Sequence, residues 1–202
     1  MSPEAADYKV SSRARVAEGA RLGPGTRVWA DATVGAGAEL GAECVVGERA
    51  FIDEGVRIGD RCKIQNAALI YAPAVLEDGV FIGPGAILTN DRYPRAITPD
   101  GSLAGASDWL REGVVVRRGA SIGAGAVVVA GVEVGEWALV AAAALVSKHV
   151  PPHALVAGNP ARRIAWVGRS GRRLERSSDG SLLDQVTGAR YRERGGLLEE
   201  EA

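Results

Sequence analysis

The strongest constraint in this sequence is an aliphatic residue that recurs every six positions. From Val10 the count passes through fourteen consecutive valine, leucine or isoleucine residues and reaches Leu88 without a miss. It resumes at Val116 and continues for six positions to Val146. From Leu22 to Ile82, and again from Val116, the residue four places after each aliphatic one is small or β-branched. A fixed internal period of this kind indicates a repeat architecture.

A period of six matches neither an α-helix, with 3.6 residues per turn, nor a plain strand, with a period of two. Because six is even, each repeat can contain a short strand and a turn while its aliphatic side chain always points inward. Three such sides close one triangular coil, and twenty repeats predict between six and seven coils. Each coil buries its aliphatic residues against its neighbours, as in other solenoids. We therefore predict an all-β parallel β-helix.

Composition narrows the classes of protein that remain. Only 5% of the residues are aromatic, so the core must be aliphatic. Cys44 and Cys62 both occupy the small position of the repeat, and we interpret them as core residues rather than redox or metal-binding groups. The formal net charge of -1 gives no basic surplus for binding nucleic acid.

Membrane and export signals are not evident in the sequence. No run of 18 apolar residues is present, which argues against a membrane-spanning helix. The first residues, Met-Ser-Pro-Glu-Ala-Ala-Asp, lack the basic and apolar regions of a signal peptide. We therefore expect a soluble cytoplasmic protein with no membrane partner.

Two segments outside the regular repeat are more specific than the repeat itself. Residues 89–113 interrupt the count with prolines, glycines and charges, which predicts a long external loop, and loops of this length are usually functional or disordered. We favour a functional loop, because polar groups cluster where the regular wall ends. Residues 151–164 read Pro-Pro-His-Ala-Leu-Val-Ala-Gly-Asn-Pro-Ala-Arg-Arg-Ile.

With the hexapeptide pattern, this closing segment resembles the left-handed parallel β-helix of the hexapeptide-repeat acyltransferases. The resemblance covers roughly residues 10–165, and residues 166–202 are predicted to form a small C-terminal appendage. The left-handed winding follows from the resemblance, because the general preference for right-handed crossovers would favour the opposite hand.

The start of the loop resembles one branch of this family. The stretch Leu-Thr-Asn-Asp-Arg-Tyr-Pro-Arg-Ala, with the earlier Cys-Lys-Ile-Gln-Asn, is similar to N-acetyltransferases that act on UDP- or dTDP-linked 3-amino sugars. By that resemblance, Asn90 and Asp91 line the place where the sugar amine meets the thioester of acetyl-CoA. The resemblance also implies substrate-binding residues, namely Arg92, Tyr93 and Arg95 on the nucleotide-linked sugar, with Gln65 and Asn66 facing the same cleft from the same or a neighbouring subunit.

The chemistry of amine acetylation is compatible with these residue types. An amine must be neutral to attack a thioester, whereas a free aliphatic ammonium has a pKa of about 10.4, judged from lysine. Burial lowers that pKa, and an acceptor aligned on the N–H orients the lone pair. Asn90 can accept through its side-chain oxygen. Asp91 is an alternative base, and turn-capping is the competing interpretation of both residues.

Coenzyme A is the expected cosubstrate, and no metal is predicted. By the resemblance, Gly125 and Ala142 let the pantetheine arm lie close to the groove between adjacent subunits. Lys148, Arg162 and Arg163 would meet its phosphates through charge-assisted hydrogen bonds. The competing interpretation of these cations is ordinary solvated surface charge.

Histidine positions separate this interpretation from its competitors. The loop contains no histidine, and His149 and His153 are predicted to be surface residues. This disfavours a mechanism like that of serine or xenobiotic acetyltransferases, and also a γ-type carbonic anhydrase, whose zinc needs three histidines. Two alternatives stay open: an acyl-CoA O-acyltransferase on another acceptor, and a structural β-helix without a catalyst. We also predict a homotrimer, because flat-sided prisms can close a cyclic assembly.

Overall fold

The computed structural model describes residues 7–201, and this part of the chain contains strands, turns and loops but no helix. None of these residues therefore forms a helix long and apolar enough to cross a bilayer. Residues 1–6, on which most of the signal-peptide interpretation rests, lie outside the described part, as does residue 202.

Two-residue strands follow one another at the predicted spacing. The first fourteen are β1 (Lys9–Val10), β2 (Arg15–Val16), β3 (Arg21–Leu22), β4 (Arg27–Val28), β5 (Thr33–Val34), β6 (Glu39–Leu40), β7 (Val45–Val46), β8 (Phe51–Ile52), β9 (Arg57–Ile58), β10 (Lys63–Ile64), β11 (Leu69–Ile70), β12 (Val75–Leu76), β13 (Phe81–Ile82) and β14 (Ile87–Leu88). After the loop come β15 (Val115–Val116), β16 (Ser121–Ile122), β17 (Val127–Val128), β18 (Glu133–Val134), β19 (Leu139–Val140) and β20 (Leu145–Val146). The second residue of each strand is a predicted aliphatic residue, so the hexapeptide register is confirmed at every repeat.

Strands three apart along the chain pair in parallel and form three walls. The first face contains β1, β4, β7, β10, β13, β16 and β19, the second contains β2, β5, β8, β11, β14, β17 and β20, and the third contains β3, β6, β9, β12, β15 and β18. This parallel solenoid confirms the predicted β-helix architecture and agrees with the left-handed form that the resemblance implies.

Four-residue turns join the walls and define three corners. We call the column of turns between the second and third faces the loop corner; it contains residues 53–56, 71–74, 129–132 and 147–149, together with the two ends of the loop at 89–114. The column between the first and second faces is the opposite corner, at residues 65–68, 123–126 and 141–144 among others. At most turns the third residue after the aliphatic one has a positive φ, as at Gly125 (64°) and Asp31 (59°).

The core is a stack of aliphatic side chains whose burial depends on position along the solenoid. From Val28 to Val146 the inward residues are buried, whereas Val10 in the first coil is 38% exposed. The first coil has a neighbour on one side only, so it buries less apolar surface. Terminal repeats of solenoids generally differ in this way.

At one corner, buried polar side chains form hydrogen bonds with backbone groups of the neighbouring coils. The buried Thr26 hydroxyl donates to the carbonyl of Gly41 at 2.8 Å and accepts from the N–H of Cys44 at 3.0 Å. The thiols of Cys44 and Cys62 donate to carbonyls of the next coil, each at 3.1 Å. The neighbouring Cys44 thiol and burial raise the pKa of the Cys62 thiol. Both cysteines are free and buried, which confirms their prediction as core residues.

The C-terminal segment closes the last coil and then forms a separate sheet. Strand β21 (Ala154–Ala157) extends the first face, and β22 (Arg162–Trp166) returns antiparallel to it. Four antiparallel strands follow, namely β23 (Glu175–Arg176), β24 (Leu182–Leu183), β25 (Arg190–Arg194) and β26 (Leu197–Glu200). Leu182, Tyr191 and Leu198 belong to the same apolar cluster as the β-helix, so the appendage shares its core and caps it.

His153 lies at the centre of this cap, and its prediction as a surface residue was wrong. Its side chain is buried, its Nδ1 lies 3.0 Å from the carbonyl oxygen of Val167, and its ring centroid is 5.2 Å from that of Tyr191. Burial lowers the pKa of His153 below the ordinary histidine value. Sequence reasoning missed this because the covering residue, Tyr191, is distant in the chain.

Stability of the protein should therefore depend on pH through His153. The unfolded chain binds a proton more readily, so the contribution of the neutral ring is complete above about pH 6.5 and is lost as the pH falls through the window below it. Glu136, Glu200 and Arg169 are the charged groups that act on the ring. Chemical denaturation between pH 7.5 and 5 should show a falling free energy of unfolding that His153→Phe flattens. His149→Phe, at an exposed ring, is the control, and equal slopes in wild type and His153→Phe would contradict the assignment.

Candidate active site

The external loop enters and leaves the solenoid at one point of the loop corner. It follows β14 and returns to β15, and the N–H of Glu112 donates to the carbonyl of Asn90 at 3.1 Å, so the two ends are joined. The side chain of Arg111 lies 3.4 Å from that of Glu54, two coils earlier in the same column. These contacts fix the base of the loop to the rigid wall.

Asn90 is held in an orientation that leaves its acceptor free. Its Nδ2 donates to the carbonyl of Ala72, one coil earlier, at 2.7 Å. The N–H of Ala72 in turn donates to Oδ2 of Asp53 at 3.1 Å. Because the amide nitrogen is engaged with the wall, the Oδ1 atom of Asn90 is the side-chain atom available to accept an N–H from a substrate.

Asp91 adopts the geometry of a turn-capping residue. Its Oδ1 accepts from the N–H of Tyr93 at 2.9 Å, two residues later. That bond is the local side-chain-to-backbone contact of an Asx turn. One of its carboxylate oxygens therefore organises the start of the loop, which favours the capping interpretation of Asp91 over a role as base.

Arg92 and Glu112 lie on the side of the corner that faces the following coil. Nη1 of Arg92 lies 3.4 Å from the carbonyl oxygen of Ala130 and 3.8 Å from Oε2 of Glu112. The Oε2 atom is shielded from solvent and has no hydrogen-bond donor in the described part of the chain. Sequence reasoning did not select Glu112, because a single charged residue at the end of a loop carries no motif.

Tyr93 and Arg95 line a cavity formed by the loop alone. Its volume is about 510 Å³, and its lining includes Asp91, Trp109 and Asp108. Tyr93 is 80% exposed, and Nη1 of Arg95 donates to the carbonyl of Pro94 at 2.9 Å. The loop therefore lines this cavity with two aromatic rings, those of Tyr93 and Trp109, and with the guanidinium of Arg95.

Gln65 and Asn66 lie at the opposite corner, not beside the loop. They follow β10 on the first face, and Oδ1 of Asn66 accepts from the N–H of Glu48 at 3.0 Å. Within one chain these two residues do not join Asn90. A common cleft with the loop requires a second copy of the chain, which is the arrangement that the predicted homotrimer would supply.

The predicted coenzyme A residues form two groups. Gly125 and Ala142 lie at the opposite corner, and a Cβ on Gly125 would meet no atom within 4 Å. Lys148, Arg162 and Arg163 line one cavity of about 190 Å³ at the end of the solenoid. The segment from Gly158 to Ala161 crosses the second face between the groups, bonded to the backbone of Leu145 at 3.0 and 2.8 Å.

The three cations that line this cavity differ in how far other side chains engage them. Arg163 lies 3.3 Å from Glu193 and stacks over the ring of Trp166 at 4.0 Å, so it is engaged with the appendage. Lys148 and Arg162 are exposed, and Arg162 makes only a local bond to the carbonyl of Ala161. Arg162 is therefore the less engaged of the two arginines.

A charged network on the third face was not predicted from the sequence. Arg117 binds both carboxylate oxygens of Glu133, at 3.0 and 2.9 Å, and one of Glu77 at 2.8 Å. The Arg117 guanidinium lowers the pKa of both glutamates. Nδ1 of His149 accepts from the N–H of Glu133 at 2.9 Å, so the other ring nitrogen carries the proton in a neutral ring. In that tautomer, the exposed His149 has no free nitrogen to act as a base.

The described residues contain no cluster of three or more histidine, cysteine, aspartate or glutamate side chains that could hold a metal ion.

Comparisons with known proteins agree with this architecture. Residues 38–72 match the family model described as the hexapeptide repeat of succinyl-transferase. A dTDP-3-amino-3,6-dideoxy-alpha-D-galactopyranose 3-N-acetyltransferase of Aneurinibacillus thermoaerophilus is 34% identical over 86 residues, which are 43% of this chain and 44% of that protein. Serine acetyltransferase 4 of Arabidopsis thaliana is 36% identical over 110 residues, 54% of this chain and 22% of that protein. The chain thus spans less than half the length of either relative.

Solved structures show the same fold. A UDP-N-acetylglucosamine acyltransferase of Bacteroides fragilis superposes with a TM-score of 0.64 at 16% identity, over 79% of this chain and 61% of that one. A hexapeptide-repeat acetyltransferase of Vibrio cholerae, solved with acetyl coenzyme A, has a TM-score of 0.52 at 26% identity, over 65% of this chain and 72% of that one. Repeat, fold and comparisons define a hexapeptide-repeat β-helix protein. Over part of its length, the chain is similar to hexapeptide-repeat acyltransferases.

Proposed function

We propose that this protein is an acetyl-CoA-dependent N-acetyltransferase that acts on the amino group of a UDP- or dTDP-linked 3-amino sugar. The observation that carries the proposal is the orientation of Asn90, whose side-chain oxygen is left free at the base of the loop because Nδ2 is bound to Ala72. The exposed Tyr93 and Arg95 nearby suit a nucleotide-linked acceptor. The relative from Aneurinibacillus supports the same acceptor class.

An O-acetyltransferase is the second candidate, because serine acetyltransferases also match this chain. The geometry favours it less. The exposed His149 accepts a backbone N–H at Nδ1, so its neutral ring has no free basic nitrogen, and His153 is buried in the cap rather than at the loop corner. A hydroxyl acceptor needs a base to remove its proton, whereas an amine can attack once it is neutral.

A homotrimer is part of this proposal, because it would bring Gln65 and Asn66 of one chain towards the loop of another. Outward apolar side chains on the second face form a half-buried stripe, made of Phe51, Leu69, Ile87, Val127 and Leu145. Leu103 and Leu110 of the loop are 86% and 75% exposed. Contiguous exposed apolar side chains often mark protein–protein interfaces, which supports the proposal. Absence of nucleic-acid and membrane partners and a cytoplasmic location stay predictions.

Thiol release from acetyl-CoA should identify the acceptor class directly. The panel contains UDP- and dTDP-linked 3-amino sugars, the matching 3-hydroxy sugars and L-serine. We expect turnover with an amino sugar and background rates with its hydroxyl counterpart and with serine. Turnover with serine alone would overturn the proposal and support the second candidate.

Asn90 should affect turnover more than binding. If its oxygen orients the attacking amine, Asn90→Ala should lower kcat about 10²-fold, the low end for one positioned catalytic group. The KM for the amino sugar should change little, because binding is assigned to Arg92, Tyr93 and Arg95. Asp60→Ala, which removes a side chain whose Oδ1 accepts from the N–H of Ala42 at 2.8 Å at the third corner, is the control for loss of a wall-bound side chain. Wild-type turnover by Asn90→Ala would leave Asn90 as a structural residue only.

Arg162 should contribute to coenzyme A binding more than Arg163 does. Arg162→Ala should weaken acetyl-CoA binding by roughly 1.5–3 kcal/mol, the usual size for a hydrogen bond to a charged group. Arg163→Ala is the control, since that side chain is engaged by Glu193 and Trp166. Calorimetry with both variants decides between them, and an unchanged affinity for Arg162→Ala would remove Arg162 from the site.

A further inference from the structure

Glu112 has a carboxylate oxygen that receives no hydrogen bond from the described residues of its own chain. Its Oε2 atom is shielded from solvent and receives no hydrogen bond from any described residue, although the side chain as a whole is 35% exposed. A shielded carboxylate oxygen without a donor is costly, and such groups in native structures call for an explanation. Because the terminal torsion of glutamate is broad, either oxygen can turn towards a donor that arrives from outside.

Arg92 is the cation beside Oε2 of Glu112, but it does not donate a hydrogen bond to that oxygen. Arg92 Nη1 is 3.8 Å from Oε2 of Glu112, beyond hydrogen-bond distance, and the same nitrogen points to the carbonyl of Ala130 at 3.4 Å. Arg92 therefore supplies a favourable charge but no bond.

The carboxylate of Glu112 packs directly against the backbone of Gly131. A Cβ built on Gly131 would be 2.8 Å from Oε2 of Glu112, which is closer than real contacts of that kind. The φ of Gly131 is +74°, a conformation that glycine adopts readily. The carboxylate thus occupies space that a side chain at position 131 would fill.

Glu112 and Asn90 are neighbours at the base of the loop through their backbones. Their backbones are joined by the hydrogen bond from the N–H of Glu112 to the carbonyl of Asn90. Asn90 offers Oδ1, Glu112 offers a carboxylate oxygen, and neither has a donor among the described residues. A primary ammonium has three N–H donors, whereas a hydroxyl has one, so two unmet acceptors match an amine. Asp91 is a poorer partner because its Oδ1 already accepts from Tyr93.

We propose that Glu112 binds the acceptor ammonium and takes its proton before the attack on the thioester, an inference that rests on the proposed function. One ammonium proton moves to the Glu112 carboxylate, which becomes a carboxylic acid. The nitrogen lone pair then forms the C–N bond to the thioester carbon, and the C–S bond breaks when the oxyanion collapses. The departing thiolate takes the surplus proton from nitrogen, and Glu112 returns its proton to water. The products are the amide, coenzyme A and one proton.

Steady-state kinetics of Glu112→Gln across pH 5.5–9, with acetyl-CoA and the amino sugar identified by the panel, tests this role. Glutamine keeps the shape and removes the basic oxygen, so kcat should fall between about 10² and 10⁴-fold, the usual range for a general base. The residual rate should rise with pH as more of the amine becomes neutral without help. Glu112→Asp keeps a carboxylate. It should therefore recover part of the rate, and its profile of kcat against pH should resemble that of the wild type on the acidic side.

Glu54→Gln is the matched control, since Glu54 also pairs with a loop arginine at the same corner and lies two coils from Asn90. Acetyl-CoA affinity by calorimetry and a thermal melt show that each variant is folded. A kcat within threefold of wild type for Glu112→Gln, a change in KM alone, or an equal loss in Glu54→Gln would overturn the proposal while leaving the N-acetyltransferase assignment intact. A wild type without turnover on any amine would instead overturn the proposed function, and the role of Glu112 with it.

Discussion

Every other feature of this molecule depends on parallel backbone pairing between residues one coil apart. Each two-residue strand bonds to the strands above and below, so side chains of successive coils form straight columns. A buried backbone N–H or C=O must find a partner, and the coil supplies one only while the aliphatic residue of every repeat stays inward. A single slip of one residue would turn the aliphatic residues of a strand outward. This is why the repeat tolerates almost any outward residue but only aliphatic inward ones.

The residues of the candidate site are held by the paired backbone of the β-helix wall. Asn90 is oriented by a carbonyl of the preceding coil and Glu112 lies on a glycine of the following coil, so two coils of wall hold the two acceptors. Groups placed by regular backbone are positioned more precisely than groups on a free loop. Under the proposed function, Tyr93 and Arg95 of the loop would add adaptable substrate contacts around that fixed base.

The fold was predictable to the residue, whereas the site was predictable only in part. The inward aliphatic residues are local and periodic, so all twenty short strands followed from counting, and the choice of Asn90 followed from a motif at the break. What the sequence could not show depends on contacts between distant residues. The burial of His153 is created by Tyr191, and the opposite-corner position of Gln65 follows from which face β10 occupies. The position of Glu112 could not be interpreted from the sequence, because its surroundings are set by Arg92 and Gly131, which are distant from it in the chain.

The way in which the loop joins the wall has a consequence for how such proteins diversify. Leu76 pairs with Val116 across the insertion with the same parallel register that neighbouring coils show without one, and the bond between Asn90 and Glu112 closes the base of the loop. Lengthening a flexible loop costs little, since its closure entropy grows only with the logarithm of its length. The segment between those two residues can thus change in length and sequence while the walls keep their register and Asn90 and Glu112 keep their places at its base. Under the proposed function, such changes would alter which substrate the loop recognises.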